Sequence, residues 1–171
     1  MISKATIKDI PALVRLVNSA YRGEASKKGW TTEANSLQGE FRTDEAMLLE
    51  QFNNKDTTLL KFTGDDGNID GCVCLQKHDG RIYLGMLSVD PNTQARGIGK
   101  TLLLASEEFA NEKQCSAIYM TVISLRHELI EWYKRHGYLA TGETKPFPTD
   151  ERFGIPTQHL EFIVLEKQME R

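Results

Sequence analysis

The chain has 171 residues, 40% of them hydrophobic and 26% charged, with 13 Gly and 5 Pro, which is enough apolar material for one core-bearing domain and too much for extensive disorder. A net charge of -3 supplies no broad cationic field, so no nucleic-acid partner is expected, and a cationic or amine substrate suits this balance better. Residues 1–11 carry no signal-like apolar run and nothing approaches ~18 consecutive apolar residues, so the expectation is a cytoplasmic protein with no membrane partner.

A short strand is predicted over 2–5. Over 9–21, Ile10, Leu13, Val14, Leu16, Val17 and Ala20 recur at helical spacing with Pro11 in the first turn, which predicts an amphipathic helix. The pattern fades over 22–43 around Gly23, Gly29, Trp30 and Gly39, and a second short helix follows over 44–52. Trp30 and Phe41 suggest that the irregular stretch packs down, and such segments on a rigid scaffold often frame substrate pockets.

Three strands come next, over 57–63, 69–76 and 81–89. They are separated by Gly64-Asp65-Asp66-Gly67-Asn68 and His78-Asp79-Gly80, and read as an antiparallel meander. Cys72 and Cys74 face the same way on the middle strand. With Cys115 they make an odd number, which points to free thiols in a reducing compartment, packed as small hydrophobes. His78 is the sole further soft ligand nearby, so no metal site is expected. After Val89 the pattern changes to a glycine-bearing loop, a helix over 99–113, a strand over 117–123, a helix over 126–136, and strands over 138–142 and 160–167. Strand, helix and strand in succession imply a right-handed parallel crossover. The fold class is therefore α/β. One domain over 1–171 is expected, its mixed sheet combining antiparallel N-terminal strands with a parallel strand–helix–strand crossover.

The loop and its flanks, Leu87-Ser88-Val89-Asp90-Pro91-Asn92-Thr93-Gln94-Ala95-Arg96-Gly97-Ile98-Gly99-Lys100-Thr101, form an anion cradle on physical grounds. Gly97 and Gly99 present no side chain to block close approach, and the helix that follows offers unpaired N–H groups and a positive dipole end. A pyrophosphate is the natural occupant. Gly99-Lys100-Thr101 also ends like a nucleotide-triphosphate loop, but that pattern needs a glycine where Gln94 stands, and the upstream meander is wrong for it. A dinucleotide fingerprint needs a glycine at Leu102.

Gln94, Gly97 and Gly99 resemble the signature of the GNAT superfamily of N-acetyltransferases: Gln or Arg, two residues, Gly, one residue, then Gly or Ala. The preceding Leu87-Ser88-Val89 and Asp90-Pro91 match its context, and the resemblance covers nearly the whole chain apart from 22–43 and 144–156. It implies the acyl-CoA N-acyltransferase fold, acetyl-CoA as co-substrate with no metal, a small-molecule or peptide amine as acceptor, and a monomer or homodimer. It further implies that backbone groups of Leu87, Ser88 and Val89 meet the pantetheine arm. Gln94, Ala95, Arg96, Gly97, Ile98, Gly99, Lys100 and Thr101 would hold the pyrophosphate, with charge from Arg96 or Lys100. Trp132-Tyr133 ahead of Gly137-Tyr138 resembles the family's aromatic-Tyr segment, whose Tyr, here Tyr133, lies near the coenzyme sulfur and protonates the departing thiolate. Gly137 is most simply a helix C-cap. Where many relatives place an Asn after the strand over 117–123, Ser124 is the nearest polar residue here.

The reaction so implied is direct attack of a neutral amine on the thioester, its carbonyl polarised by the N–H of Val89 or Leu87. Cys72 and Cys74 lack an evident activating base, so no covalent enzyme intermediate is expected. Glu33, Glu40, Asp44 and His78 are the candidate bases. Glu33 is preferred for its place in the irregular stretch, against a reading of it as a solvated surface residue. Phe147, Arg152 and Phe153 are placed to shape the acceptor site or a dimer contact. The alternatives are a non-catalytic acyl-CoA-binding sensor and a P-loop nucleotide binder. The acceptor itself, whether amino acid, polyamine, antibiotic, peptide N-terminus or protein lysine, is left open.

Overall fold

The computed structural model describes residues 1–22, 37–38, 42–93, 96–147, 155–156 and 160–170. In chain order these form β1 (Ile2–Lys4), a 3-10 turn (Ile7–Asp9), α1 (Ile10–Tyr21), β2 (Leu37–Gln38), α2 (Glu45–Asn53), β3 (Thr57–Thr63), β4 (Ile69–His78) and β5 (Arg81–Val89). They continue with α3 (Ile98–Glu112), β6 (Ala117–Ile123), α4 (His127–Arg135), β7 (Leu139–Pro146), β8 (Ile155–Pro156) and β9 (Glu161–Gln168).

Seven strands make one sheet in the order β1-β3-β4-β5-β6-β9-β7. All neighbours are antiparallel except β5 and β6, the expected parallel pair joined through α3. The second crossover, through α4, lands one strand further out. β9 fills the gap between β6 and β7 and runs antiparallel to both. A pairing the sequence does not announce is that of β2 with β8, which draws together the two irregular stretches of the chain.

Each face of the sheet is covered by helices. One core holds Ile82, Leu84, Leu102, Leu103, Ile118 and Met120 beneath α3 and α4; the other holds Leu13, Val17, Leu48, Leu59, Cys72 and Cys74 beneath α1 and α2. The alternation of β4 explains the division, since Val73 joins the first core while the cysteines flanking it join the second. Burial pushes the Cys72 thiol up to about 12 and the Cys74 thiol up to about 11, so both are inert packing groups at neutral pH.

Local chemistry sets the element ends. Asp44 caps α2 by accepting the Met47 N–H at 2.8 Å. The helix over 126–136 ends in a Schellman motif: Gly137 at φ +94° donates to the Lys134 carbonyl and Tyr138 to the Tyr133 carbonyl. β4 extends two residues beyond the expected Gln76, because Asp79 and Gly80, both at positive φ, form the whole two-residue turn and let His78 pair with Arg81. β7 likewise runs past Gly142, which sits at φ +91° within a register shift against β9 instead of ending the strand.

Candidate active site

β5 and β6 are paired at only two positions, Ile82 with Ile118 and Tyr83 with Tyr119, and beyond them the strands part. The cause lies in β5. Its register against β4 jumps from Cys74–Gly85 to Cys72–Ser88, so Met86, at φ +51°, and Leu87 together face Val73 in a bulge. The bulge re-aims side chains: Ile82 and Leu84 before it and Leu87 and Val89 after it enter the core under α3 and α4, while Met86 enters the opposite one. Ser88, fully buried, stabilises the turn of backbone by donating its hydroxyl to the Met86 carbonyl at 2.9 Å.

The ladder dictates where the backbone groups point. Asp90 donates to the Asp70 carbonyl at 2.8 Å. Hydrogen-bonded pairs alternate along an antiparallel ladder, so Leu87 and Val89 turn their backbone groups away from β4, toward β6. In keeping with this, the Leu87 carbonyl is free of β4 and accepts the Tyr21 hydroxyl, 2.5 Å away at the end of α1.

A cavity of about 370 Å³ occupies the gap and reaches both faces of the sheet. On the α3/α4 side its walls are Leu84, Leu87, Met120, Val122, Leu129 and Tyr133. On the α1/α2 side they are Tyr21, Tyr83, Met86, Thr121 and Ile123, with Phe147 packed on Phe162 at 5.2 Å between ring centroids. Tyr83 and Thr121 bridge the two strands by a hydroxyl–hydroxyl hydrogen bond of 2.9 Å. The lining also includes Arg22, Arg42 and Arg126 and, among the described residues, no Asp, Glu or His.

Tyr133 is fixed by the Schellman turn and by edge-on contacts with Trp132 at 5.1 Å and Tyr138 at 5.9 Å. Burial holds its phenol well above the usual value of 10.0, so the proton stays on at any physiological pH. Among the described residues no group hydrogen-bonds its hydroxyl.

Past the C-terminal end of β5, the start of α3 has the form expected of an anion cradle. Gly97, the N-cap of α3, is left-handed at φ +75°, and a Cβ there would project into open space. The first bond within the helix is Thr101 N–H to the Gly97 carbonyl at 3.1 Å, which leaves the N–H groups of Ile98, Gly99 and Lys100 unused by the helix. Arg96 and Lys100 are exposed beside it. A pyrophosphate fits this arrangement through its charge and through the absence of a side chain at Gly97.

Of the residues expected from sequence, Leu87 lines the cavity and Ser88 and Val89 end β5 beyond it, Arg96, Gly97, Ile98, Gly99, Lys100 and Thr101 lie at the start of α3, and Tyr133 lies in the cavity. Ser124 lies just past β6, its N–H given to the Glu161 carbonyl at 2.9 Å, and does not line the cavity, whereas Arg126 does. Asp44 is engaged as a helix cap. His78, 62% exposed and 3.2 Å from Asp79, sits in the β4–β5 turn away from the gap. Glu33, Glu40, Gln94, Ala95, Arg152 and Phe153 fall outside the described residues. Sequence reasoning missed Tyr21, Tyr83, Thr121, Arg42 and Arg126. Tyr21 ends the predicted helix one position past the apolar set that closes at Ala20, and the strand residues become visible only once the bulge is known. Among the described residues no cluster of three or more His, Cys, Asp or Glu is placed to hold a metal ion, and no helix is long and apolar enough to cross a membrane.

The sequence profile of the Acetyltransferase (GNAT) family matches residues 15–138. No curated protein matches the chain by sequence. Solved structures do match it in fold. The ribosomal-protein-S18-alanine N-acetyltransferase from Escherichia coli superposes with a TM-score of 0.74 at 15% identity, over 100% of this chain and 94% of that one. The ribosomal-protein-alanine N-acetyltransferase from Brucella melitensis gives 0.72 at 20% identity, over 98% and 99%. A GNAT-family acetyltransferase from Staphylococcus aureus gives 0.70 at 16% identity, over 99% of both chains.

Proposed function

The chain belongs to the GNAT family of acetyltransferases, and we propose that it moves an acetyl group from acetyl-CoA to a primary amine by direct attack inside the cavity between β5 and β6. The observation that carries this reading is that the cavity passes through the sheet. A thioester arm entering from the α3/α4 side and an amine entering from the α1/α2 side meet where the strands part. The proposal includes a cytoplasmic protein, alone or as a homodimer, with a small-molecule or peptide amine as acceptor.

In this mechanism acetyl-CoA supplies an acyl group already activated as a thioester. The N–H groups of Ile98, Gly99 and Lys100 and the charges of Arg96 and Lys100 hold the pyrophosphate, with Gln94 and Ala95 completing the loop in sequence. Leu87 and Val89 meet the arm through their backbone, with Ser88 between them. The proposed role of the Leu87 or Val89 N–H is to stabilise charge growing on the carbonyl oxygen as the amine attacks.

Tyr133 faces the departing sulfur and donates its O–H. A phenol pushed above 10 is a weaker acid than a thiol titrating near 8.5, so complete transfer is uphill by about 1.4 kcal/mol per unit of difference. Hydrogen-bond donation carries no such penalty, and Tyr133 therefore acts first as a donor to the growing thiolate. The attacking amine must lose a proton. Among the described lining residues there is no carboxylate or imidazole, so deprotonation falls to water, to Glu33 as the preferred base, or to Glu40, both of which the sequence places in the segment preceding α2.

Calorimetric titration with acetyl-CoA, followed by thiol release across a panel of amines, tests the reading. Binding with amine-dependent release supports it. Binding without release for any amine indicates a sensor instead, and no binding defeats it.

A further inference from the structure

The protein's overall charge is negative, yet the described lining of the cavity contributes three guanidinium groups and no carboxylate. Arg42 is the most informative of the three. Its backbone is clamped from α1: the Asn18 side-chain carbonyl accepts the N–H groups of Arg42 and Thr43, the latter at 2.9 Å, while the Asn18 amide donates to the Thr43 carbonyl at 3.1 Å. The Arg42 guanidinium lies over the Tyr21 ring at 5.7 Å from its centroid, and among the described residues no carboxylate pairs with it. Arg126 approaches the same ring at 5.8 Å. Tyr21 in turn is held by its hydroxyl on Leu87, the residue whose backbone lines the gap.

A guanidinium held over an aromatic face keeps its planar fork directed at the cavity and matches an oxyanion bidentately. The Arg42 guanidinium on the amine side of the cavity disfavours a second positive charge beside the amine. It favours an acceptor that carries its own negative charge close to the amine.

We propose that the acceptor is a small primary amine bearing an oxyanion, an amino acid or a short peptide with a free carboxylate, and that Arg42 binds the oxyanion. The inference rests on the acetyltransfer reading above and narrows its substrate class. It excludes polyamines and aminoglycoside-like polycations as preferred acceptors.

The test is a thiol-release assay with acetyl-CoA on matched pairs: each free amino acid against its carboxamide, together with aminoalkyl phosphonates, short peptides with free or amidated C-termini, and spermidine. Acetyl-CoA affinity is measured separately by calorimetry. One bidentate charge-assisted contact predicts a kcat/KM preference of about 10- to 100-fold for the acid over the amide. Arg42→Gln should raise KM for the acid by a similar factor, bring the acid-to-amide ratio close to one, and leave the affinity for acetyl-CoA unchanged. Arg42→Lys should fall between, since it keeps charge without the fork. Free amino acids and peptides are separated by which arm of the panel shows the preference. The proposal is overturned by equal use of acid and amide, by preference for spermidine, by loss of acetyl-CoA affinity in Arg42→Gln, or by turnover of no acid while acetyl-CoA binds. Failure of acetyl-CoA to bind the wild-type protein would instead remove the acetyltransfer reading itself.

Discussion

Tyr133→Phe separates catalysis from folding at a single oxygen atom. The ring packs between Trp132 and Tyr138 at 5.1 and 5.9 Å and is 4% exposed, so Phe preserves the contacts that hold α4 to the sheet. The hydroxyl has no hydrogen-bond partner among the described residues, so removing it abandons no bond and stability should stay within about 0.5 kcal/mol of wild type. Acetyl-CoA affinity should also hold, because the pyrophosphate cradle at the start of α3 is built from other residues. The loss should appear in kcat alone, by about 100-fold, or about 2.7 kcal/mol of transition-state stabilisation, the low end for a positioned acid. Wild-type kcat should rise with pH as the amine deprotonates and show no fall until above pH 10, because burial raises the phenol and keeps its acid form in place. Stopped-flow release of thiol, melting curves and calorimetry on the same preparations distinguish these effects. An unchanged kcat in a folded variant that binds acetyl-CoA would refute the role given to Tyr133.

Gly97→Ala introduces a methyl group into the open space of the cradle at φ +75°; the left-handed strain costs about 1–2 kcal/mol of stability, and acetyl-CoA should bind at least about tenfold more weakly by calorimetry. Gly71→Ala places a Cβ 2.8 Å from both Ile98 Cγ2 and Leu102 Cδ1, so overpacking between β4 and α3 should cost about 1–3 kcal/mol in denaturant melts and displace the start of α3. Alkaline pH supplies a fourth test through Cys72 and Cys74, raised from 9.0 to about 12 and about 11. The neutral thiol is the folded form, so this stability is complete below pH 9, is lost as pH climbs through 11 to 12, and the melting temperature of Cys72→Ala/Cys74→Ala should fall less steeply over that window than wild type.

Where sequence periodicity reports on local structure, the reading was close. The strand over 81–89 and the strand over 117–123 have the expected bounds, and Gly137 caps its helix as expected. Gly97 takes the left-handed N-cap of α3, a conformation that few residues besides Gly adopt readily. What the sequence did not display is the bulge at Met86. Nothing in Leu84-Gly85-Met86-Leu87 breaks the strand pattern; the extra residue is apparent only against the register of β4. Without it the side chains of β5 alternate without interruption and the gap toward β6 is invisible. The cationic lining was hidden for a related reason. Arg22 and Arg42 follow α1 and precede α2, Arg126 precedes α4, and net charge says nothing of where they converge.

Two paired positions between β5 and β6 are fewer than the lengths of those strands allow, and each ladder bond forgone withdraws about 0.5–1.5 kcal/mol from the fold. The remaining bonds are therefore concentrated where they hold the edges of the gap apart. β6 is paired along its whole length with β9, from Ala117 to Ile123, and β5 is paired with β4 on both sides of the bulge. Each lip of the cavity is thus rigid through its outer neighbour. Tyr21 on Leu87 and Tyr83 on Thr121 brace the opening from the α1/α2 side with hydroxyls instead of backbone bonds. A hydroxyl brace can be exchanged for a ligand contact without unpairing the sheet. This predicts that Tyr83→Phe, which removes only the brace to Thr121, should change acceptor KM more than it changes the melting temperature. A large loss of stability would show that the gap is held open by the braces and not by the flanking strands.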